Sequence, residues 1–264
     1  MFILSGIELT PKQLNQMSPG QLSTYLDHEA GTVKVPYMVI AAIVLLVTIL
    51  FFVTKLPEIK EEGAEEEKSF SVTVFRHSHV KWAVIAQFFY VGAQVGIGSF
   101  IVRYSKFVAD IPEKEAAYLW GSIAMIGFMV GRFAGTFLMR YIKPAQLLAL
   151  YSLISILLLV AGISMNGKAA VYAVLAVPFF MSIMFPTIFA LGIKGLGEES
   201  KIASSFLVMA IVGGGIAPLI MGYISDKTGS IQTAYIVPLI CFAVVLYFGL
   251  KGYRVIESRA VQKS

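Results

Sequence analysis

The chain has 264 residues, of which 57% are hydrophobic and only 14% are charged. A soluble domain carries about 25% charged residues, so this composition excludes an ordinary water-soluble fold. It predicts an all-α membrane protein built from helices of roughly 20 apolar residues each. The net charge of +5 is too small and too evenly spread to indicate nucleic-acid binding.

Metal and disulfide chemistry lack the residues they need. Cys241 is the only cysteine, so no disulfide framework is possible within the chain. His28, His77 and His79 are the only histidines, and all three fall in polar stretches. The apolar stretches therefore offer no metal-ligand set, and we expect neither a metal nor a cofactor.

Apolar stretches of bilayer length predict seven transmembrane helices. Their expected limits are residues 37–54, 80–102, 116–139, 145–163, 169–193, 202–224 and 234–250.

The predicted helices divide the chain into five parts. In chain order these are a segment before the first span (1–36), the first span (37–56), a charged linker (57–79), a six-helix unit (80–253) and a tail (254–264). The linker PEIKEEGAEEEKSFSVTVFRHSH is long and charged, which is typical of a solvated connection rather than a domain.

The distribution of basic residues predicts the orientation. If the linker is cytoplasmic, 13 of the 21 basic residues lie on the cytoplasmic side, 7 lie outside, and Arg132 lies within a span. The positive-inside rule favours this arrangement, with the N-terminus outside and the C-terminus in the cytoplasm. The start MFILSGIELT has no basic n-region or cleavage site, so we expect Met1 to be internal to a longer protein.

Two amides and a phenol share one face of the second predicted helix. Gln87, Tyr90 and Gln94 are spaced i, i+3 and i+7, and Gly98 continues the same face. Such groups can hydrogen-bond hydroxyls, as sugar recognition requires, so we predict that the three side chains bind substrate. The alternative is that the glutamines only bond a neighbouring helix.

The fifth predicted helix carries two prolines in the run VPFFMSIMFPTIFALGIKGLG. Pro178 and Pro186 each remove a backbone donor, which a membrane helix tolerates where it lines a cavity or bends. Ser182, Phe185 and Phe189 share a face and are further candidates for substrate binding, because aromatic rings suit the apolar faces of a pyranose. The alternative is that the rings face lipid or the protein core.

Arg132 is the one basic residue deep in a predicted span, about five turns into the third helix. A guanidinium at that depth needs water or a partner, although it could also snorkel toward the cytoplasm. All sixteen acidic residues lie in loops or at helix ends, so an intramembrane carboxylate that could carry a proton is missing. Small residues repeat every four positions at 127, 131 and 135 and again at 210, 214, 218 and 222, which predicts close helix packing.

Four runs of the sequence are distinctive, namely AQFFYVGAQ (86–94), GRFAGTFL (131–138), FPTIFALGIKGLG (185–197) and GGGIAPLIMGYISDKTG (213–229). They resemble the L-fucose:proton symporters, the fucose permease family of the major facilitator superfamily. Members of this family have twelve helices in two halves around a central cavity. The resemblance implies that this chain is helix six plus the C-terminal half, in the inner membrane, and that the N-terminal half is a missing partner.

The resemblance also implies a function and a role for Arg132. It implies symport of a proton with L-fucose or a related hexose, with the proton-carrying carboxylates in the front half. Arg132 falls on the family's GRF arginine, which faces the cavity and could pair with a front-half acid. Two departures concern the sugar, because fucose permeases have Tyr at Phe185 and Trp at Gly98. Here the runs GIGSF and FPTIF look more like the glucose/galactose branch.

Three other functions are alternatives to sugar symport. A self-contained seven-helix receptor that binds retinal would need a lysine deep in its last helix, whereas Lys251 lies at the end of that helix. A major facilitator transporter for a substrate other than sugar would share the fold. An intramembrane enzyme would need a Ser/His, paired-Asp or metal constellation, which the spans do not contain, so we do not expect an enzyme.

Overall fold

The computed structural model describes residues 17–54 and 72–255, and all regular structure in these ranges is helical. The chain divides into two compact units, residues 1–67 and 68–264. The predicted linker and the predicted tail fall mostly outside the described residues.

The first unit contains one long helix, α1 (Pro19–Val53). It begins well before the predicted residue 37, because Ser18 and Gln21 form a capping box. The Ser18 hydroxyl accepts from the Gln21 amide, and the Gln21 side chain accepts from the Ser18 amide at 3.1 Å. Only Pro36–Leu50 is apolar. The hydrophobicity pattern therefore predicted the apolar part of α1 and missed its polar first part.

Within residues 72–255 of the second unit, six helices are long and apolar enough to cross a membrane. They are α2 (Ser78–Ala109), α3 (Glu113–Leu138), α4 (Pro144–Ser164), α5 (Lys168–Gly192), α6 (Gly197–Thr228) and α7 (Ile231–Gly252). These correspond to the last six predicted spans, with ends that differ by a few residues. The prediction of an all-α membrane fold is confirmed.

Helix α2 lies at the centre of the six-helix unit, where it packs against α5, α6 and α7. Helix α4 packs between α5 and α7, and α3 packs against α5. The core between them is closed by fully buried side chains such as Tyr104, Phe242 and Phe248. The helix that carries Gln87 and Gln94 is therefore the central helix of the unit.

Small residues bring α3 against α5 and α6 against α2. A Cβ atom on Gly131 would lie 2.2 Å from the Phe179 carbonyl oxygen, and one on Gly213 would lie 2.1 Å from the Phe88 carbonyl oxygen. Gly135 meets Ile183 in the same way, whereas Gly127 faces open space. Two of the three glycines repeated in α3 thus serve the predicted close packing.

Helix α5 is broken at Ser182 and Ile183, between a helix that ends at Met181 and one that begins at Met184. Pro186 explains the break, because it offers no N–H to the carbonyl four residues earlier. Pro178 lies inside the first part, which continues through it. Only one of the two prolines therefore interrupts the helix, while both were expected to.

The end of the linker packs against the first part of α6. A short 3-10 helix (Val72–Arg76) precedes α2. The Phe75 ring lies 4.6 Å from the Phe206 ring, and the His77 imidazole lies 2.9 Å from a Glu199 carboxylate oxygen.

Candidate functional site

Gln87, Tyr90 and Gln94 of α2, which we call the α2 polar face, differ in how deeply they are buried. Gln87 is fully buried, and Tyr90 is 1% exposed. Gln94 is only half-buried. On its own, the six-helix unit therefore presents only Gln94 at its surface.

The side-chain amide of Gln87 is buried without a hydrogen-bond partner for either its nitrogen or its oxygen. Leaving a buried polar group unpaired is costly, so native structures rarely contain one without a purpose. This amide has capacity for a water molecule or for a polar group that enters the bundle.

Tyr90 connects α2 to the break in α5. Its hydroxyl donates to the Met181 carbonyl oxygen at 3.0 Å, and its ring lies edge-on to the Phe185 ring at 6.3 Å between centroids. The carbonyls beside a helix break lack their usual donors. Tyr90 thus satisfies a backbone group that the break leaves open.

The predicted group on α5 lies on the two sides of the same break. Ser182 is buried, and its hydroxyl donates to the Phe179 carbonyl oxygen at 2.7 Å. Phe185 and Phe189 are half-buried, one turn apart in the second part of α5. The two rings, rather than the hydroxyl, are therefore the groups available to a ligand.

Arg132 is exposed and lines a cavity of about 390 Å³ between α3 and α5, which we call the Arg132 cavity. Thr136, Pro186, Thr187 and Lys194 also line it. Within the described ranges no carboxylate forms an ion pair with Arg132 or Lys194.

The structure thus brings the α2 polar face together with the break in α5 and with Arg132. Tyr90 contacts Met181 and Phe185 at the break, and Ile183 and Pro186 of the same region line the Arg132 cavity. Lys194 was missed as a site residue, because the sequence shows it only as one more basic residue at the end of a span. The available signal was its position eight residues after Pro186, which places it two residues past the end of α5.

Trp120 was also missed. It begins a π-helical turn (Trp120–Ala124) within α3, and its Cζ2 atom lies 3.1 Å from where a Cβ on Gly98 would stand. Gly98 continues the α2 polar face, so the indole lies beside that face. The sequence offered one signal, which is that Trp120 is one of only two tryptophans in the chain.

Helices α3 and α6 are the least covered of the six. In the most apolar 18-residue stretch of each helix, 17% of the residues of α3 and 28% of those of α6 are buried. The corresponding share in the other four helices is 44% to 61%. The exposed large side chains include Val130 and Phe133 on α3 and Val212 and Leu219 on α6. Both helices therefore carry apolar surface that the six-helix unit leaves open.

The chain matches the family model described as Major Facilitator Superfamily over residues 21–210. It is 43% identical to an L-fucose-proton symporter of Escherichia coli over 244 residues, which cover 89% of this chain and 55% of that protein. It is 38% identical to a glucose/galactose transporter of Brucella abortus over 233 residues, which cover 86% of this chain and 55% of that protein.

The fold matches a crystal structure of the E. coli fucose:proton symporter FucP with a TM-score of 0.70 and 40% sequence identity. The match covers 94% of this chain and 62% of that one. The chain thus spans little more than half the length of the curated relatives named above.

The family match covers well over half of the chain and agrees with the six membrane-capable helices. It also points to a transporter rather than an enzyme. The chain is therefore a multi-pass membrane protein that belongs to the Major Facilitator Superfamily, and its six-helix unit is the C-terminal half of that fold.

Proposed function

We propose that this chain is the C-terminal part of a sugar:proton symporter whose substrate is L-fucose or a related hexose. Relatives named as an L-fucose-proton symporter and as a glucose/galactose transporter support a sugar substrate. The half-buried amide and aromatic rings beside the break in α5 supply the hydrogen-bonding and apolar groups that a pyranose needs.

The observation that carries proton coupling is the unpaired state of Arg132. A guanidinium exposed within a membrane span is stable only when it is hydrated or paired. In α2 to α7 the acidic residues lie only in the first or last turns of α3 and α6, and none of them lines the Arg132 cavity. The partner of Arg132, and the carboxylate that carries the proton, therefore belong to the front half of the complete transporter.

The candidate substrate residues divide into two layers. Gln94, Phe185 and Phe189 make the direct contacts with the sugar, because they reach the surface of the six-helix unit. Tyr90 and Ser182 lie beneath them and hold the break in place through their hydrogen bonds to backbone carbonyls. The buried, unpaired amide of Gln87 lies in the same layer and is available to a water molecule or an entering polar group.

The front half packs on the faces that α3 and α6 leave open. In this class of transporter the substrate lies between two halves, and transport proceeds as one half rocks against the other. Residues 1–36 lie outside the cytoplasm, while the linker 57–79 and the tail 254–264 lie within it. The protein lies in the inner membrane, and the positive-inside rule supports this orientation.

Uptake by the complete transporter tests the proposal. Vesicles with an acidic exterior are supplied with radiolabelled L-fucose, D-galactose or D-glucose. We expect at least one hexose to accumulate, and a protonophore to abolish the accumulation. Uptake that is unchanged in the presence of the protonophore would contradict proton symport. If none of the hexoses enters, the substrate is not a sugar of this class, and a transporter for another substrate becomes the better interpretation.

A further inference from the structure

We propose that Trp120 is a specificity-determining residue of the sugar site, where its indole ring stacks on the apolar face of a pyranose. This inference rests on the proposed sugar transport and adds a residue from α3, which neither the sequence motifs nor the candidate set included.

The ring lies on the continuation of the α2 polar face. Gly98 is one helical turn beyond Gln94 on the same side of α2. The Cζ2 atom of Trp120 lies 3.1 Å from the position of a Cβ on Gly98, so the absence of a side chain there gives the indole its space. Both Gln94 and Trp120 are half-buried, so an amide and an aromatic ring reach the surface of the unit about one turn apart.

The backbone at Trp120 is unusual in a way that sets the direction of the ring. Residues Trp120–Ala124 form a π-helical turn inside an otherwise α-helical span. Such a turn inserts an extra residue and rotates the side chains on one side of it relative to those on the other. It thereby sets the direction of Trp120 independently of that of Arg132 in the same helix.

The indole has both kinds of contact to offer. Trp120 is only half-buried, so its indole N–H can donate a hydrogen bond to a ligand. Its face is a large apolar surface with a quadrupole. A pyranose ring has an apolar face of C–H groups and hydroxyls at its edge, so it matches both. An open-chain alditol has the same hydroxyls but no ring face.

The test compares sugar binding by the complete transporter and its variants, with hexopyranoses and their corresponding alditols as ligands. We expect Trp120→Ala to raise the Kd for the pyranose about tenfold and to leave the Kd for the alditol nearly unchanged. Trp120→Phe should retain part of the preference for the pyranose. Gly98→Val should reproduce the loss, because its side chain displaces the indole without removing it.

Trp82→Ala is the matched control, because Trp82 packs on Tyr247 at 4.6 Å near the opposite end of α2. It should leave the ratio of the two Kd values unchanged. A purely structural role for Trp120 would weaken both ligands equally, and that result would overturn the proposal, as would an unchanged pyranose Kd in Trp120→Ala. If the unmodified transporter binds no sugar, the proposed function fails, and this inference fails with it.

Discussion

The Tyr90 hydroxyl is hydrogen-bonded to the Met181 carbonyl oxygen at the point where α5 is broken. The bond joins the central helix of the unit to α5 at the point where that helix is interrupted. It therefore fixes the position of Phe185 and Phe189, which follow the break, relative to the α2 polar face.

Tyr90→Phe is expected to destabilise the complete transporter by about 0.5–2 kcal/mol. The change removes the hydroxyl, leaves the ring, and leaves a buried carbonyl without its donor. Thermal unfolding in detergent measures the effect as a lower Tm. Tyr172→Phe is the control, because Tyr172 lies on α5 and is 49% exposed. Equal Tm values for the two variants would mean that the bond to Met181 does not support the break.

Gln94→Ala is expected to weaken sugar binding about tenfold while folding stays intact. The loss of a hydrogen-bonding partner for a sugar hydroxyl costs roughly 1–3 kcal/mol. Equilibrium binding of radiolabelled sugar measures it, with the exposed Gln146→Ala on α4 as control. Lower expression combined with normal binding by the surviving protein would instead show that Gln94 holds helices together.

Gly131→Ala and Gly127→Ala form a matched pair that tests the packing of α3 on α5. A methyl group at 131 would stand 2.2 Å from the Phe179 carbonyl oxygen, whereas one at 127 would meet nothing within 4 Å. We expect Gly131→Ala to lower expression and Tm strongly, because backbone must move. Gly127→Ala should behave like the unmodified protein in the same unfolding experiment, and equal losses in both would contradict the packing.

Arg132→Gln is expected to uncouple transport from the pH gradient while sugar exchange continues. Pairing with the guanidinium favours the ionised form of a front-half carboxylate, and protonation of that acid releases the pair. Counterflow and gradient-driven uptake are measured side by side in the complete transporter. Arg140→Gln is the control, because that arginine lies past the end of α3 over the Phe137 ring at 5.9 Å.

If Arg132 only anchors the helix near the membrane surface, Arg132→Gln will reduce expression and leave coupling intact. Equal retention of counterflow and gradient-driven uptake would remove Arg132 from the mechanism.

Hydrophobicity alone predicted the last six spans, because an apolar stretch of bilayer length has few alternatives to a helix. It missed the start of α1, since Ser18 and Gln21 cap the helix in a polar segment. The prolines predicted an irregular α5 but could not say that only Pro186 breaks it. The burial of each side chain could not be predicted from helical spacing. The spacing places Gln87 and Gln94 on one face but does not show that Gln87 is fully buried.

Trp120 shows why the site was only partly predictable. Its contact with Gly98 joins two helices and depends on a π-helical turn, which no spacing rule for a regular helix anticipates. The same contact involves Gly98, the position at which the sequence is expected to depart from the fucose permeases. In this chain an aromatic ring from α3 lies against that position.

Reconstitution tests whether this chain supplies one half of a proton-coupled sugar transporter. The complete transporter and this chain alone are placed in separate vesicles with an acidic exterior, and the accumulation of a radiolabelled hexose is measured in both. Thermal unfolding first establishes that the chain alone is folded. We predict accumulation with the complete transporter and none above empty vesicles with the chain alone, because a single half has nothing to rock against. Accumulation by this chain alone to the level of the complete transporter would contradict the claim.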